Sequence, residues 1–390
     1  MSYQAKREYL LRIIKRYQAG SKQEKKLILN EFCMVCGYSR KHAIRLLTGK
    51  VTLSKPRSGA PRRYPKDLLL PHVQFLWLSM ERISAGRIKA AFWDWLPYYK
   101  ENGITPEVKA LLTTMSVSTL ERLLREVRSL FKAKRGLSTT SPARFMKNRI
   151  PLNTLDKNVI QPGFTQADTV AHCGNSISGS YVNSITVTDI FSEWTENRAL
   201  FQKKAPDIRH AMNDILKTLP FDMLGFNTDC GTEFLNDEMV RYMWNPYPGA
   251  KPIAFTHSRP YKKNDQCWVE QKNFTHVREL FGYERFEDPK LVSLMNEIYK
   301  NYWNPLQNFF IPNFKLLEKI RIGAKIRKKH DHPLTPYDRL MRSSHLSEEQ
   351  KQKLKEQKSK LNPFALRKGL EEKLNEFFRL VKQSNMREIA

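Results

Sequence analysis

Hydrophobic positions recur at helical spacing along the first 130 residues. The pattern predicts amphipathic helices over residues 4–19 and 22–33 and a short basic helix over 40–48, entered through a turn at Gly37 with Ser39 at the N-cap. This order is typical of a helix-turn-helix DNA-binding module, although small helical bundles share it. The candidate DNA-binding residues of the short helix are Arg40, Lys41 and Arg45.

A second helical DNA-binding module is predicted over residues 68–131, where Arg122 and Arg125 share one face of the last helix. Residues 54–67 join the two helical regions, and their three prolines exclude a helix. This segment is either an ordinary exposed linker or an extended basic strap lying in a DNA groove. Its candidate DNA-binding side chains are Arg57, Arg62 and Arg63.

The pattern changes near residue 160. Alternating and β-branched runs predict three strands, followed by a helix, a strand, a helix, a strand and a helix from about 264 to 281. That order predicts an α/β domain with a mixed five-stranded sheet and flanking helices. The expected fold class is therefore multidomain. Its predicted segments are residues 1–53, the linker 54–67, residues 68–131, a basic linker 132–159, the α/β domain 160–286 and a mainly helical, basic C-terminal region 287–390.

Charge is distributed unevenly along the chain, whose formal net charge is +28. Residues 1–150 hold 31 Lys and Arg against 10 Asp and Glu, residues 151–286 hold 14 against 16, and residues 287–390 hold 22 against 13. A strongly basic chain suits a polyanionic partner, and its centre keeps carboxylates that could bind cations. These features predict double-stranded DNA as the partner.

The sequence contains no run of 18 apolar residues, and its N-terminus lacks the pattern of a signal peptide. We therefore expect a cytoplasmic protein with no membrane partner. The five cysteines are scattered, as expected in a reducing compartment. Cys33 and Cys36 form a CxxC pair, but no second ligand pair lies nearby, which favours buried helix cysteines over a zinc site.

Three acids occupy positions where an acid is costly. Asp168 interrupts the uncharged strand GFTQADTVAH, and Asp229 ends the strand PFDMLGFNTD. Glu270 falls in register with an apolar stripe of Cys267, Phe274, Val277 and Leu280, so we expect it to face the sheet without a basic partner on the same helix face. Each acid alone has an ordinary structural explanation, but three such carboxylates could share divalent cations.

The stretches ADTVAHCG, NTDCGTEF and SRPYKKNDQCWVEQKN resemble the catalytic core of the retroviral-integrase-like DDE transposases of bacterial insertion sequences. That family writes its second acid as Asp-Asn/Ser-Gly-x-Glu-Phe and its third in a Ser-x-Pro-Tyr…Asn…Glu-x-x-Asn helix. The resemblance covers about residues 160–285 and implies a ribonuclease-H-like fold. Cys230 departs from the family pattern, as do Phe274 and Val277, where the integrases often have basic residues.

The resemblance implies that Asp168, Asp229 and Glu270 are catalytic residues that hold two Mg²⁺ or Mn²⁺ ions. The reaction it implies is cleavage at the ends of a mobile element and joining of the freed 3′-OH to target DNA. Because two ends are joined together, a homo-oligomer is expected. The residues expected to support the acids are His172, Glu233 and Asn273, and the sequence equally allows His172 a purely structural, buried position. Those expected to add DNA contacts are Lys262, Lys263 and Lys272.

Two other interpretations remain open. A ribonuclease-H-like nuclease would use the same fold and metals for hydrolysis only. A repressor derived from a transposase would bind DNA without cutting it. The two predicted helix-turn-helix-like modules argue against a simple nuclease, and the presence of all three acids argues against a non-catalytic protein.

Overall fold

A computed structural model describes residues 1–50, 63–100, 104–128, 159–229, 231–259, 263–322 and 325–387. The chain divides into two compact units, Met1–Arg63 and Tyr64–Ala390, which are called the N-terminal and C-terminal units below. Several residues discussed above lie outside the described part of the chain, namely Arg57, Arg62, Cys230, Lys262 and the side chain of Lys263.

The N-terminal unit consists of three helices, α1 (Tyr3–Ala19), α2 (Lys22–Cys36) and α3 (Arg40–Leu47). Ser21 and Glu24 form a capping box at the start of α2, and Gly37 ends that helix in the left-handed conformation with φ of 70°. The apolar stripes of the three helices meet in one core around Phe32. The helices predicted from periodicity are present, and their use as a helix-turn-helix stays a prediction.

The C-terminal unit begins with four helices, α4 (Lys66–Ser79), α5 (Ala85–Trp95), α6 (Pro106–Thr114) and α7 (Val117–Arg128). Their buried side chains, including Trp77 and Trp95, belong to the same hydrophobic cluster as Trp303 and Phe377. These four helices therefore share a core with the far end of the chain.

A five-stranded sheet follows, made of β1 (Phe164–Ala171), β2 (Asn183–Asp189), β3 (Thr195–Leu200), β4 (Gly225–Thr228) and β5 (Ala254–His257). The strand order is β3-β2-β1-β4-β5; β2 is antiparallel to β1 and β3, whereas β4 pairs in parallel with both β1 and β5. The predicted mixed five-stranded sheet is confirmed. Its arrangement is compatible with the integrase-like core that the family resemblance implies.

Helices cover both faces of this sheet. On one face α8 (Ala205–Thr218) and α9 (Asp237–Trp244) enclose a cluster that includes Ala167 and Phe226. The other face meets a helix built from α10 (Cys267–Lys272), a π-helical segment (Asn273–Arg278) and α11 (Glu279–Phe281). This composite helix, called the Glu270 helix below, occupies the range predicted from the sequence.

The remainder of the unit is mainly helical, as predicted. Its elements are α12 (Lys290–Ile298), a π-helical segment (Tyr299–Trp303), α13 (Asn304–Phe310), a hairpin of β6 (Leu316–Ile322) and β7 (Lys325–His330), α14 (Pro336–Arg342), α15 (Glu348–Ser359) and α16 (Pro363–Arg387). The hairpin was not predicted. No helix among the described residues is long and apolar enough to cross a membrane.

Candidate active site

Two of the three predicted acids lie next to each other, one on β1 and the other directly after β4, and these are neighbouring internal strands of the sheet. The parallel strands β1 and β4 pair Ala167 with Thr228, so the next residue on each chain segment is an aspartate, Asp168 or Asp229. The carboxyl ends of parallel strands share an edge, where α/β proteins commonly form their sites. The register of the sheet therefore creates this acid pair.

The two neighbouring carboxylates repel each other when both are ionised, unless a positive charge lies nearby. Burial and then the neighbouring charge of Asp229 raise the pKa of Asp168 to about 7. The Asp168 carboxylate accepts hydrogen bonds from the Thr169 N–H at Oδ1 and from Asn273 Nδ2 at Oδ2, each at 2.7 Å. These bonds hold the carboxylate in a fixed orientation toward the space beside Asp229.

Glu233 adds a third carboxylate from the segment that follows Asp229. Its Oε1 accepts hydrogen bonds from Thr169 Oγ1 at 2.9 Å and from Lys203 Nζ at 3.3 Å, and its charge contributes to the raised pKa of Asp168. We call Asp168, Asp229 and Glu233 the acidic cluster. Lys203, in the connection after β3, supplies a positive charge to this cluster.

Gly231 allows the acidic cluster to form. Its N–H donates to Asp229 Oδ1 at 2.9 Å, and a Cβ at this position would overlap the Glu233 carboxylate. We expect Gly231→Ala to displace Glu233 from Thr169 and Lys203 and to lower the free energy of unfolding by about 1 kcal/mol, the value of a hydrogen bond. Denaturant unfolding measures this loss.

The control for that prediction places Gly231→Ala in a Glu233→Ala background, where the overlapping carboxylate is absent. There the glycine substitution should cost less than in the wild type, because only the contact of the added Cβ with Asp229 Oδ1, at 3.0 Å, remains. Equal losses in both backgrounds would show that Glu233 is not the side chain displaced.

The Glu270 helix reaches the acidic cluster through Asn273. Residues three apart are neighbours on a helix surface, so Glu270 lies one turn from the Asn273–Asp168 hydrogen bond. Glu270 itself is exposed, and so are Cys267 and Phe274. The prediction that these three residues face the sheet is therefore wrong, whereas Val277 and Leu280 of the predicted stripe are buried. Glu270 is still close to the acid pair along the helix.

The face of this helix that is buried carries Val269, Lys272, His276 and Val277. Lys272 Nζ lies 3.3 Å from Glu193 Oε2 in an ion pair whose two side chains are both buried. Polar side chains on a buried face leave no hydrophobic periodicity, so the sequence pattern selected the wrong face. Lys272 is only 5% exposed, and the structure thus contradicts its predicted role in contacting DNA.

Amide side chains fix the start of the Glu270 helix. Gln266 Nε2 lies 2.8 Å from Asn227 Oδ1 and 2.6 Å from Ser258 Oγ, and Gln166 Nε2 donates to the Asp265 carbonyl at 2.6 Å. The sequence analysis missed these positioning residues. A signal existed, because Gln166 and Asn227 each stand two residues before an aspartate of the pair in a strand that is otherwise uncharged.

His172 lies in the core rather than beside Asp168. It is four residues further along the chain, about 13 Å in an extended strand. Its Nε2 is 2.9 Å from Ser184 Oγ, and its ring stacks on Phe286 with centroids 4.9 Å apart. Burial, with a smaller effect of Arg278, lowers the pKa of His172 to about 3. The imidazole is therefore neutral at physiological pH and packs as a core residue.

Among the described residues, no three His, Cys, Asp or Glu side chains are placed to hold a metal ion as they stand. The Asp168–Asp229 pair nevertheless has the oxygen donors that Mg²⁺ and Mn²⁺ prefer, and its mutual repulsion is what a cation would relieve. Glu270 would have to turn from its exposed position to complete the set. Cys33 and Cys36 are free thiols on α2, with Cys36 buried in the helical core.

The predicted DNA-binding residues on α3 and α7 are at the surface. On both helices the basic side chains lie opposite a buried apolar face, which for α3 includes Leu46 and for α7 includes Leu124. The predicted residues that the structure describes as exposed are Arg40, Lys41, Arg45, Arg63, Arg122 and Arg125.

Comparisons with known proteins include one sequence relative and a group of distant structural similarities. The chain is 33% identical over 350 residues to the uncharacterized protein y4rM of Sinorhizobium fredii (strain NBRC 101917 / NGR234), covering 87% of this chain and 96% of that protein. The chain therefore belongs to the same protein family as y4rM. No protein-family model matches the chain.

Two of the structural similarities are to retroviral proteins. The catalytic core domain of BIV integrase is 17% identical, with a TM-score of 0.28, and the match covers 47% of this chain and 96% of that domain. A chain of the simian T-cell lymphotropic virus intasome in complex with the PP2A regulatory subunit B56 gamma is 14% identical, with a TM-score of 0.24. That match covers 42% of this chain and about half, 52%, of the other.

Proposed function

We propose that this protein is a DDE-type DNA transposase, which cleaves DNA at the ends of a mobile element and joins the 3′-OH to target DNA. The observation that carries the proposal is the Asp168–Asp229 pair on neighbouring parallel strands, with the Glu270 helix tied to Asp168 through Asn273. The net charge of +28 supports a DNA substrate. The family resemblance of the three acid-bearing stretches favours DNA joining over other phosphoryl transfers.

The proposed chemistry assigns separate tasks to the protein and to its metal ions. Two divalent ions, held by Asp168, Asp229 and Glu270, would supply the positive charge that phosphoryl transfer between oxygens needs. The protein orients the ligands: Thr169 and Asn273 hold the Asp168 carboxylate by a hydrogen bond to each oxygen. No side chain need form a covalent intermediate, because the freed 3′-OH is itself the nucleophile.

Lys203 and Glu233 lie beside the Asp168–Asp229 pair and support this arrangement. Lys203 contacts the acidic cluster through Glu233, and its positive charge lowers the pKa of Asp168. We propose that Lys203 also attracts the DNA phosphate to the site. The exposed basic faces of α3 and α7 would contact the element ends, and pairing of two ends would require a homo-oligomer.

One assay separates the proposal from its alternatives. Purified protein is incubated with Mg²⁺, a duplex carrying the sequences that flank its gene, and a target plasmid. Joined products support transposition. Nicks without joining favour a nuclease that only hydrolyses, and binding without cutting favours a repressor. Asp222→Asn, a change at an exposed aspartate, serves as the active control.

Glu233 and Glu270 offer a test of which carboxylate completes the metal site. If Glu270 is the third ligand, Glu270→Gln should lower strand transfer by about 1,000-fold, equivalent to roughly 4 kcal/mol of transition-state stabilisation. Glu233→Gln should lower it by only about tenfold, because Gln keeps a hydrogen-bond acceptor for Thr169. The rate of joined-product formation measures both effects, and the reverse order would assign the third ligand to Glu233.

A further inference from the structure

The β6–β7 hairpin carries only exposed side chains among those described from Leu316 to His330. An isolated two-stranded hairpin is at best marginally stable in water, so this one needs support at its base or a partner along its length. Its apolar side chains are exposed as well, with Leu317 at 61% and Ile326 at 53%. The hairpin thus presents a surface that the rest of the unit does not cover.

The base of the hairpin is fixed to the unit by polar contacts. The Lys315 N–H donates to Asp331 Oδ1 at 2.6 Å, which closes the two strands, and Arg339 forms an ion pair with the same aspartate. Lys315 Nζ donates to the carbonyl of Phe191, in the β2–β3 turn, at 2.9 Å. Arg87 on α5 donates to Asn313 Oδ1 at 2.7 Å. The hairpin is therefore held at its base next to the sheet that carries the acidic cluster.

The two faces of the hairpin are alike. The strands pair Ile320 with Arg327 and Arg321 with Ile326, and successive pairs point to opposite faces. Within these two pairs, each face carries one isoleucine and one arginine. A hairpin that docked on an apolar groove would have one apolar face and one polar face. In this hairpin both faces mix apolar and basic side chains. Because the two faces carry similar side chains, the hairpin suits a partner that contacts both of them.

The positive charge of the hairpin favours DNA as that partner. Residues 316–330 hold six Lys and Arg against one Glu, and the run Arg327, Lys328 and Lys329 is exposed on β7. Lysines on edge strands also guard against aggregation, but that role needs only one or two charges along an edge. The major groove of DNA, about 12 Å wide, admits a two-stranded ribbon, and phosphates line both of its sides. Basic side chains on both faces match that geometry.

We propose that the β6–β7 hairpin is a DNA-binding ribbon that enters a groove of double-stranded DNA and contacts the phosphates on both sides. The ligand class is any B-form duplex, because phosphate contacts carry no sequence information. This inference rests on the proposed function only in taking DNA as the partner. It adds a binding element that lies outside the helical modules and is anchored beside the β2–β3 turn.

The test measures binding of the full chain to a fluorescein-labelled random 30-bp duplex by anisotropy, in EDTA, over a series of salt concentrations. The variant Arg327→Gln/Lys328→Gln/Lys329→Gln should reduce the slope of log K against log salt by about 2 to 3, since each lost phosphate contact contributes about 0.9. The matched control is Lys355→Gln/Lys360→Gln/Lys368→Gln, which removes the same charge from exposed positions on and after α15. Equal slopes for the two variants would overturn the proposal.

A second measurement uses the unaltered protein. Acetylation of lysines by an amine-reactive ester, read by mass spectrometry, should be reduced at Lys328 and Lys329 when the duplex is present and unchanged at Lys355. Lack of protection would contradict the proposal. So would a hairpin variant that alters the sedimentation of the free protein while leaving DNA affinity intact, because the hairpin would then be a surface for self-association.

These outcomes are separable from the proposed function. Binding is measured in EDTA and on random DNA, so it does not depend on catalysis. If the hairpin variant bound DNA as the wild type does, and strand transfer were normal, only the hairpin proposal would be rejected. If the hairpin variant bound DNA more weakly than the wild type, and the wild type showed no strand transfer, only the proposed function would be rejected.

Discussion

Asp168→Asn is expected to abolish strand transfer and to stabilise the metal-free protein. The loss of activity should be at least about 1,000-fold, because a metal ligand contributes several kcal/mol to the transition state. The gain in stability follows from the raised pKa of Asp168, since the ionised form is opposed by burial and by Asp229. A shift of one pKa unit corresponds to about 1.4 kcal/mol, and allowing for partial exposure we expect about 2 kcal/mol at pH 8.

The pH dependence of that gain has a definite sign. Asp168 has a pKa of about 7 in the folded state and 3.8 as its ordinary value, so between these values the folded protein binds the proton and the unfolded chain does not. The wild type therefore loses stability relative to the Asn variant as the pH rises from about 4 to 7, and the difference is constant above that range. Urea unfolding at pH 5 and pH 8 in EDTA measures it. A difference that shrinks with rising pH would contradict the assigned direction.

Lys272→Met is expected to destabilise the fold by about 3–5 kcal/mol, the usual cost of leaving one partner of a buried ion pair. Lys272 and Glu193 form such a pair between the Glu270 helix and the β2–β3 turn. Burial lowers the pKa of Lys272, while the charge of Glu193 opposes that shift. Methionine keeps most of the length of the side chain, so the loss of charge dominates the effect. Equilibrium unfolding in denaturant measures it.

The double variant Lys272→Met/Glu193→Gln provides the critical comparison, because it removes both charges and should recover most of the lost stability. Lys368→Met is the matched surface control: Lys368 is 80% exposed and lies 3.9 Å from Glu372, so its loss should cost less than about 1 kcal/mol. A Lys272→Met variant as stable as Lys368→Met would show that the buried pair contributes nothing to the fold.

The five strands and the positions of Asp168 and Asp229 were predictable from local sequence signals, whereas the order of the strands within the sheet was not. Alternation and β-branched residues define β1 to β5, and the strand-ending Asp229 is visible because β4 is short and apolar. Gly37, a helix stop by its left-handed conformation, was equally readable. Each of these signals lies within a few residues of the feature that it predicts, and the register between β1 and β4 then brings Asp168 and Asp229 together.

The face of the Glu270 helix could not be predicted from hydrophobicity. Its buried side chains include Lys272 and His276, whose partners Glu193 and Asn197 come from the sheet and its turn. Such long-range polar partners leave no periodic trace in the helix itself. The π-helical segment Asn273–Arg278 adds to the error, since it changes the angular position of every later residue.

Lys203 and the β6–β7 hairpin were missed for different reasons. Lys203 follows β3, which runs parallel to β1 and therefore ends at the same edge of the sheet, but only the strand order shows this. The hairpin alternates apolar and basic residues without a consistently apolar face, because neither face packs on a core. In both cases the determining fact is where the element lies in three dimensions.

The central claim is that Asp168 and Asp229 form a divalent-cation site. Isothermal titration of the full chain with Mn²⁺ at pH 8, where Asp168 is ionised, tests this claim without requiring a DNA substrate. The account predicts binding to the wild type and to Asp222→Asn, and loss of that binding in both Asp168→Asn and Asp229→Asn. Mn²⁺ binding that is unchanged by these two substitutions would contradict the claim.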